Sequence, residues 1–494
     1  MSSLLDKLER VGNRLPDPSI LFIAGSLLIV LLAEIAVTFQ WQAVRWLGPE
    51  QSELVMAQSV LQAEGIWWWL SSMVQNFIQF PPLGIVLVGM LGIGLAERCG
   101  LLPALICAAG HAIQDKYLIP ATLFIGVMSS LAMDAGYVVL PPLAATLFMA
   151  AGRSPILGIV TSFAGVSAGF GANLFITSID PLLAGFTQSA AQIITPDYQV
   201  AVTSNWWFMA VSTIVLTFSG WAITHYWVAP RTERLSFDAQ AAEPLLKLNS
   251  TQRSALRWAA AAFVVVLAAA LLATWHPAGA LHGSGKHFPR WVEATVPLLF
   301  LLFLIPGVVY GLRAGSIRSS KDAAGFMGST LADLGPYIVL AFFAAQFIAI
   351  FKYTHLGEML ALSGGAWLAA MEMNVFVLLC AFVLLVCFGN LLIGSMSAKY
   401  AFYAPVFVPM LMQAGVSPEL TQLVYRIGDS VTNVITPFNP YMIIILALLQ
   451  KYHRQAGVGT LISLTLPYSV GFLLTWMLLL LFWLLLGLPL GPSA

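Results

Sequence analysis

Long apolar segments alternate with short polar ones along the whole chain. The first, residues 18–40, is long enough to cross a lipid bilayer, which takes ~20 residues in a helix. It is longer than the core of a cleavable signal peptide and follows a basic stretch, so we expect an uncleaved first span. Six further segments are predicted to cross once each: 67–96, 206–228, 258–275, 291–310, 334–351 and 461–488.

Two other apolar segments have polar residues at their centres. Residues 116–150 and 374–413 are too short for two crossings joined by a turn, since each crossing needs ~20 residues. Non-helical backbone at mid-depth is tolerated only where it is buried or lines a water-filled cavity. We therefore predict two re-entrant hairpins with polar tips in mid-membrane. The tip residues are Ser129, Ser130 and Asp134 in the first hairpin, and Asn390 and 394–400 in the second.

A serine-proline pair follows each hairpin and opens a broken span. In Ser154-Pro155 and Ser417-Pro418, the serine is suited to cap a helix and the proline to its first position. Later prolines interrupt each helix and leave backbone groups free in mid-span. Seven plain spans and two broken ones give nine crossings.

The two units of hairpin and broken span are an internal duplication. The offset is 418 − 155 = 263 between Pro155 and Pro418, and 440 − 181 = 259 between Pro181 and Pro440. Cytoplasmic segments of membrane proteins are enriched in Lys and Arg. The predicted cytoplasmic segments hold sixteen of the 22 Lys and Arg residues and the outer segments four. This places the N-terminus in the cytoplasm and the C-terminus in the periplasm, and gives the two units inverted topology.

The predicted fold is an all-α polytopic membrane protein with nine transmembrane helices, two re-entrant hairpins and an inverted-topology repeat. Its predicted divisions are 1–65 (first span and periplasmic connector), 66–200 (repeat one), 201–325 (central spans with a cytoplasmic loop at 230–257), 326–455 (repeat two) and 456–494 (last span).

Composition agrees with a membrane protein. Hydrophobic residues make up 59% of the chain and charged residues 9%, which excludes a water-soluble globule. Positive and negative residues balance at 22 each without a basic run, so no nucleic-acid partner is indicated. The four cysteines lack metal-ligand spacing, and no cofactor is expected beyond a candidate sodium ion.

Ionisable residues inside the apolar segments are the main functional candidates. Arg426, Asp429 and Asn433 are three and four residues apart, so they share one face of a helix. Lys399 lies at the second hairpin tip. In one interpretation Lys399 and Arg426 pair with Asp429 as a structural network, because intramembrane charges usually pair. In the other, the two basic groups bind carboxylate or sulfonamide groups of a substrate.

Asparagines near these charges are candidate cation ligands. Oxygens of Asp429, Asn390 and Asn433 would suit Na⁺, although the same amides, and those of Asn173 and Asn439, could instead hold helices together. Asp134 is a further candidate, and His111 is expected near the cytoplasmic surface. Inverted repeats with broken helices and polar mid-depth groups are typical of secondary transporters that work by alternating access.

Three motifs carry a resemblance to a known family. They are Gly-Ala-Asn-Leu-Phe-Ile-Thr-Ser-Ile-Asp-Pro at 171–181, Gly-Ser-Met-Ser-Ala-Lys-Tyr at 394–400 and Gly-Asp-Ser-Val-Thr-Asn-Val-Ile-Thr-Pro at 428–437. These resemble the signatures of the AbgT family of p-aminobenzoyl-glutamate transporters. The resemblance implies a homodimer in the bacterial inner membrane that transports p-aminobenzoyl-glutamate or p-aminobenzoate-like compounds. It also implies export of sulfonamide antimetabolites coupled to a cation gradient. The functional positions that it implies are Asp180, Ser397, Tyr400, Pro418, Arg426, Asp429 and Pro437.

Tyr400 departs from the family pattern, in which tryptophan is frequent, and its added hydroxyl leaves substrate preference open. A membrane hydrolase would need a nucleophile or metal set, and no His-Glu-x-x-His motif is present. A channel has no need of two asymmetric broken spans. The remaining alternative is a sodium-coupled carrier of dicarboxylates or other organic anions.

Asp180 aligns with Asn439 across the duplication, so the turn itself does not require a negative charge. A buried carboxylate without a partner is costly unless a proton or an ion relieves it. We therefore expect Asp180 to be unpaired and to take part in proton coupling, with Asp429 as the other titrating or cation-binding group. Proton and sodium remain alternatives for the coupling ion.

Overall fold

The structure, a computed structural model, describes residues 18–48, 51–111, 113–132, 134–238, 248–391, 393–436 and 438–492. Side chains at positions 18, 46–48, 51, 52, 111, 115, 132, 134, 135 and 369 lie outside this description.

The described first half of the chain is helical except for one β-hairpin. Its elements are α1 (Pro18–Thr38), β1 (Gln42–Gly48), β2 (Gln51–Met56), α2 (Ala63–Ile78), α3 (Pro81–Arg98), α4 (Leu101–His111), α5 (Leu118–Met128), α6 (Asp134–Ala150), α7 (Pro155–Ala168), α8 (Ile179–Ala191) and α9 (Trp206–Ile223). A π-helical turn, Thr224–Val228, and a short helix, Ala229–Thr232, continue α9, and 3₁₀ turns at Asp115–Tyr117 and Ser129–Ala132 flank α5.

The second half continues with α10 (Ser250–Trp275), α11 (Thr295–Ala314), α12 (Ser320–Asp333), α13 (Gly335–Tyr353), α14 (Leu356–Ala370), α15 (Val375–Asn390), α16 (Met396–Gln413), α17 (Pro418–Asn433), α18 (Met442–Tyr452) and α19 (Val458–Leu485). A short helix, Arg290–Glu293, precedes α11.

Seven helical stretches of the described chain are long and apolar enough to cross a membrane. They are Ser19–Thr38, Ala63–Arg98, Trp206–Thr232, Ser250–Trp275, Thr295–Ala314, Gly335–Tyr353 and Val458–Leu485. They correspond to the seven predicted plain spans. The two remaining predicted crossings are pairs of shorter helices, α7 with α8 and α17 with α18. The prediction of an all-α polytopic membrane protein is confirmed.

Both predicted hairpins are present, and each leads into a broken helix. α5 and α6 precede α7 and α8 in the first copy, as α15 and α16 precede α17 and α18 in the second. α17 packs against both α7 and α8, and α18 packs against α7, so the broken helices of the two copies cross. Every residue of α7 and α17 is buried. The crossing therefore forms the core of the molecule.

One hydrogen bond joins the two copies next to a helix break. The backbone N–H of Gly171 donates to the hydroxyl of Ser430, 259 positions away, at 2.8 Å. Gly171 follows α7 of the first copy, and Ser430 lies within α17 of the second. The backbone at the first helix break is therefore held against the broken helix of the other copy.

Glycines bring each hairpin close to its broken helix. A Cβ added to Gly126 of α5 would lie 2.9 Å from the Cα of Gly165 on α7. One added to Gly428 of α17 would lie 2.8 Å from the carbonyl oxygen of Val383 on α15. Both distances are too short for a side chain, and small residues of this kind let membrane helices approach closely. The same close approach therefore occurs in both copies.

The two Ser-Pro helix starts differ in their caps. Pro155 and Pro418 open α7 and α17 as predicted. The hydroxyl of Ser417 accepts a hydrogen bond from the N–H of Leu420 at 3.2 Å. The hydroxyl of Ser154 is buried with no hydrogen-bond partner among the described residues. Ser154 takes the N-cap position of its helix as predicted, but its side chain makes no capping hydrogen bond.

Two features of the fold were not predicted. The predicted span 67–96 is two helices, because Pro81 and Pro82 start α3 and disfavour a helical residue before them. The connector after α1 forms the antiparallel pair β1–β2. Arg45 of β1 pairs with Glu53 of β2 and with Glu358 of α14. The β-hairpin is therefore held in part by a residue far away in the sequence.

Candidate functional site

Arg426 and Asp180 form a buried ion pair between the two copies. Arg426 lies on α17 and Asp180 in the first turn of α8. Nη1 of Arg426 lies 2.5 Å from Oδ1 of Asp180, and the two residues are 1% and 6% exposed. Nη2 donates to the carbonyl oxygen of Gly171 at 2.8 Å. Nε of Arg426 is buried and has no hydrogen-bond partner in the described part of the chain.

The second oxygen of Asp180 is also occupied. It accepts hydrogen bonds from the backbone N–H and the hydroxyl of Thr177, at 2.6 and 2.9 Å. The expectation of an unpaired carboxylate at Asp180 is therefore wrong. The interpretation that pairs Arg426 with Asp429 is wrong as well, because the partner of Arg426 lies 246 positions away on another helix.

Lys399 and Asp429 form a second buried ion pair, within the second copy. Nζ of Lys399 on α16 lies 2.6 Å from Oδ1 of Asp429 on α17, and both side chains are 0% exposed. Pairing offsets the desolvation of two buried charges only when further hydrogen bonds satisfy them. Here Nζ also donates to Oδ1 of Asn390, and Nδ2 of Asn433 donates to Oδ2 of Asp429 at 3.2 Å. For Lys399, pairing with Asp429 is confirmed.

The three candidate sodium ligands lie together around this pair. Nδ2 of Asn390 lies 2.8 Å from Oδ1 of Asn433 and 2.7 Å from the carbonyl oxygen of Asp429. However, the ammonium group of Lys399 contacts both the Asp429 carboxylate and the Asn390 amide oxygen, which is the position that a cation would take. In this arrangement sodium could bind only if Lys399 moved away. No cluster of three His, Cys, Asp or Glu side chains suited to a metal is found in the described ranges.

Two tyrosines form an aromatic wall beside the charged groups. The rings of Tyr400 and Tyr425 have centroids 4.3 Å apart, and both residues are fully buried. The hydroxyl of Tyr400 lies 2.6 Å from Oγ1 of Thr187 on α8. The hydroxyl of Tyr425 donates to the carbonyl oxygen of Met396 at 2.7 Å. These contacts hold the hairpin tip against both broken helices.

The remaining asparagines hold the helix breaks. Nδ2 of Asn173 donates to the hydroxyl of Ser130 at the first hairpin tip, at 2.6 Å. Nδ2 of Asn439 donates to the hydroxyl of Ser167 on α7 at 3.1 Å. The contacts favour the helix-packing interpretation for both amides.

Of five other predicted positions, two have described side chains, and neither contacts the ion pairs. Ser397 contacts Ser395 at the start of α16, with their hydroxyl oxygens 3.3 Å apart. Pro418 opens α17, about 12 Å along the helix axis from Arg426. Pro437 lies outside the described residues, as do the side chains of Asp134 and His111.

A sequence profile of the AbgT putative transporter family matches residues 3–494. The chain belongs to the AbgT family. It is 36% identical over 488 residues to the p-aminobenzoyl-glutamate transport protein of Escherichia coli (strain K12), a match that covers 98% of this chain and 95% of that protein. The resemblance drawn from the motifs is confirmed.

Two solved AbgT structures share the fold. The YdaH transporter of Alcanivorax borkumensis, described as having an unusual topology, is 41% identical with a TM-score of 0.92, covering 97% of this chain and 100% of that one. MtrF of Neisseria gonorrhoeae, described as illuminating a class of antimetabolite efflux pumps, is 40% identical with a TM-score of 0.92, covering 99% and 100%. The protein is a multi-pass membrane transporter and not an enzyme.

Sequence reasoning missed two residues that connect the AbgT broken helices. Oγ1 of Thr187 on α8 lies 2.9 Å from Oε1 of Gln422 on α17. Gln422 is four residues before Arg426, and Thr187 is seven residues after Asp180, so each shares a helix face with a charged residue that was identified. Extending those two faces would have found both.

Proposed function

We propose that this chain is a secondary transporter, coupled to a cation gradient, that moves p-aminobenzoyl-glutamate and p-aminobenzoate-like compounds by alternating access. The name of the Escherichia coli relative and the duplicated broken helices support this. We propose further that it exports sulfonamide antimetabolites, as the description of the gonococcal relative suggests. We place it as a homodimer in the bacterial inner membrane, with the N-terminus in the cytoplasm and the C-terminus in the periplasm.

The observation that carries the proposal is the buried guanidinium group of Arg426. It contacts one oxygen of Asp180, and its Nε has no partner among the described residues. A buried polar group without a partner calls for an explanation. Arginine binds carboxylates best through two parallel hydrogen bonds. A substrate carboxylate that approached Nε and one Nη would make both.

The surroundings of Arg426 match the proposed substrate. p-Aminobenzoyl-glutamate carries two carboxylates at one end and an aromatic ring at the other. The site offers two basic groups, Arg426 and Lys399, each held by an exchangeable carboxylate partner. The rings of Tyr400 and Tyr425 lie beside Lys399 and Asp429, where they could contact a substrate ring.

Asp180 would make proton binding and anion binding depend on each other. A neutral Asp180 no longer neutralises Arg426, so the guanidinium group becomes available to an anion. By linkage, a bound anion equally favours protonation of Asp180. Binding of p-aminobenzoyl-glutamate should therefore become tighter as the pH falls, which corresponds to movement of substrate and proton in the same direction. Export of sulfonamides in exchange for protons requires the opposite dependence, so sulfonamide binding should weaken as the pH falls.

The test is flux of radiolabelled p-aminobenzoyl-glutamate into proteoliposomes, with pH and Na⁺ gradients imposed separately. We expect accumulation above the external concentration under one of the two gradients. A channel would equilibrate the substrate without accumulating it, and no accumulation under either gradient would contradict the proposal. Succinate, which has two carboxylates but no ring, should compete weakly. Preferential accumulation of succinate would favour a dicarboxylate carrier.

A further inference from the structure

A cavity outside the ion-pair region lies beside the start of α17. Its volume is about 540 Å³, and its walls include Phe288 and, at the end of α19, Leu484 and Leu488. Phe288 belongs to a polar loop in which Lys286 and His287 are exposed. Because the exposed Lys286 and His287 precede Phe288 in this loop, the cavity lies near the polar surface of the protein, where water has access.

Glu419 is the one charged side chain among the described residues that line this cavity. It is 9% exposed. The hydroxyl of Tyr198, which also lines the cavity, lies 3.1 Å from each of its carboxylate oxygens. The hydroxyl of Ser417 and the backbone N–H of Glu419 also interact with this carboxyl group. These contacts hold the buried carboxyl group in the cavity wall, where it can exchange a proton with water in the cavity.

A row of three separate polar contacts lies along α17 between Glu419 and the ion pair. Glu419 contacts Tyr198, Gln422 contacts Thr187, and Arg426 contacts Asp180. The three residues of α17 are three and four positions apart, so they lie on one face of the helix. The distance from Glu419 to Arg426 along the helix axis is about 10 Å. The hydroxyl of Tyr400, 2.6 Å from that of Thr187, fills the middle of the row.

We propose that Glu419 is the residue through which protons pass between the water in the cavity and the Asp180–Arg426 pair. The inference rests on the proposed proton-coupled function and adds the route of the proton to it. Chains of carboxyl and hydroxyl groups are the usual proton relays of membrane transporters. The hydroxyls of Tyr400 and Thr187 can each donate or accept, so they can transmit a proton in either direction.

The step is a proton transfer between two carboxyl groups. The neutral carboxyl of Glu419 loses a proton, the carboxylate of Asp180 gains one, and a hydronium ion from the cavity reprotonates Glu419. The hydroxyls of Tyr400 and Thr187 lie between the two carboxyl groups along α17, and water would complete the path on either side of them. In sum, one proton moves from the cavity to Asp180, which then no longer neutralises Arg426. Among the described residues, the titratable group that contacts Glu419 is Tyr198. The basic Lys286 and His287 lie on the loop beside the cavity.

The test is transport by Glu419→Gln in proteoliposomes, with radiolabelled p-aminobenzoyl-glutamate as the probe. Accumulation of substrate driven by a pH gradient should fall about tenfold or more, which is the size of a typical coupling between two sites. Exchange of labelled for unlabelled substrate at equal pH should stay within about twofold of the wild-type rate. Exchange should survive because Asp180 and Arg426 are unchanged. The matched control is Glu372→Gln, which removes an exposed carboxylate that does not line the cavity, and it should alter neither rate.

Two results would overturn the relay. One is a Glu419→Gln protein that accumulates substrate like wild type. The other is a well-folded variant that loses accumulation and exchange together, because Glu419 would then have a structural role. If Glu419→Gln fails to fold, Tyr198→Phe is tested instead. This variant loses the hydrogen bond that stabilises the ionised carboxylate of Glu419, so the relay predicts that the pH profile of accumulation shifts to higher pH. An unshifted pH profile would overturn the relay. A wild-type protein that ignores pH gradients would instead refute the proposed proton coupling.

Discussion

Replacing Asp180 with asparagine should destabilise the protein as well as uncouple it. Oδ1 of Asp180 faces Nη1 of Arg426 at 2.5 Å, and Oδ2 faces the N–H of Thr177 at 2.6 Å. Both partners are donors. An asparagine amide has only one acceptor oxygen, so its NH₂ group would face a donor on one side. The amide that suits the turn at Asn439 is therefore unsuited to position 180.

The expected size of the effect follows from the burial of Arg426. The guanidinium group would stay 1% exposed and lose its carboxylate partner. Removing one member of a buried ion pair costs ~3–5 kcal/mol. The double variant Asp180→Asn/Arg426→Gln removes both charges, and we expect it to recover most of that free energy while remaining inactive. Its recovery would measure the coupling between the two residues.

The assay is thermal unfolding of the purified protein in detergent, followed by tryptophan fluorescence. Wild type, both single variants and the double variant form a complete cycle. Added p-aminobenzoyl-glutamate should stabilise Asp180→Asn more than wild type, because its carboxylate replaces the lost partner of Arg426 and a ligand stabilises the state that it binds. Gradient-driven accumulation is measured on the same four proteins in proteoliposomes.

The reasoning fails if Asp180→Asn unfolds at the wild-type temperature and gains no more from the substrate than wild type does. Arg426 would then have found another partner, and the ion pair would not hold the two copies together. If the same variant also concentrates substrate at the wild-type rate under a pH gradient, Asp180 has no part in coupling.

Three further predictions address the second ion pair, the crossing of the copies and the orientation. The unfolding temperature of Lys399→Ala should rise with NaCl but not with choline chloride, because Na⁺ can replace the ammonium group beside Asp429. If NaCl changed the unfolding temperatures of the variant and of wild type equally, the result would count against a cation site. Gly171→Ala should destabilise by ~1–3 kcal/mol, since its Cβ would lie 2.5 Å from the hydroxyl oxygen of Ser430. Gly84→Ala, which meets no atom within 4 Å, is the control, and equal unfolding temperatures would disprove the close approach. A membrane-impermeant thiol reagent applied to whole cells should label Ser284→Cys and not Ser236→Cys, and the reverse pattern would refute the predicted orientation.

The broad fold could be predicted because its determinants are local. An apolar segment of spanning length, a polar tip inside it and a Ser-Pro pair after it can each be recognised within about 40 residues of sequence. The break before Pro81 was missed because the residues on both sides of it are apolar, so the hydropathy pattern continues across it. The β-hairpin was missed because contacts with Glu358, far along the chain, help to hold it.

The members of the site could be predicted, but their pairing could not. Arg426, Asp429 and Lys399 stand out because charges are costly in apolar segments. Helical periodicity places Arg426 and Asp429 on one face, which suggested that they pair with each other. In the structure Arg426 faces α8 and Asp429 faces α16. Which neighbour each one meets depends on how the two copies cross, and a single sequence does not contain that information.

The duplication explains why the Asp180–Arg426 contact suits a switch. With the offset of 259 found at the later prolines, Asp180 corresponds to Asn439. Asn439 also contacts the broken helix of the other copy, with its Nδ2 3.1 Å from Oγ of Ser167 on α7. The residue before the proline therefore contacts the other copy in both cases, once through an ion pair and once through a neutral hydrogen bond. A proton can weaken only the ion pair.

Alternating access in inverted repeats requires the two copies to exchange conformations, so contacts between copies must change while those within a copy can persist. The Lys399–Asp429 pair lies within one copy and can move as a unit. The Asp180–Arg426 pair lies between copies and must respond to the exchange. Because Asn439, the counterpart of Asp180, cannot titrate, protonation of Asp180 would alter the contact at one helix break and leave the contact at the other unchanged. A ligand that acts on one state and not on the other shifts the equilibrium between them, which is the condition that a proton must meet to drive transport.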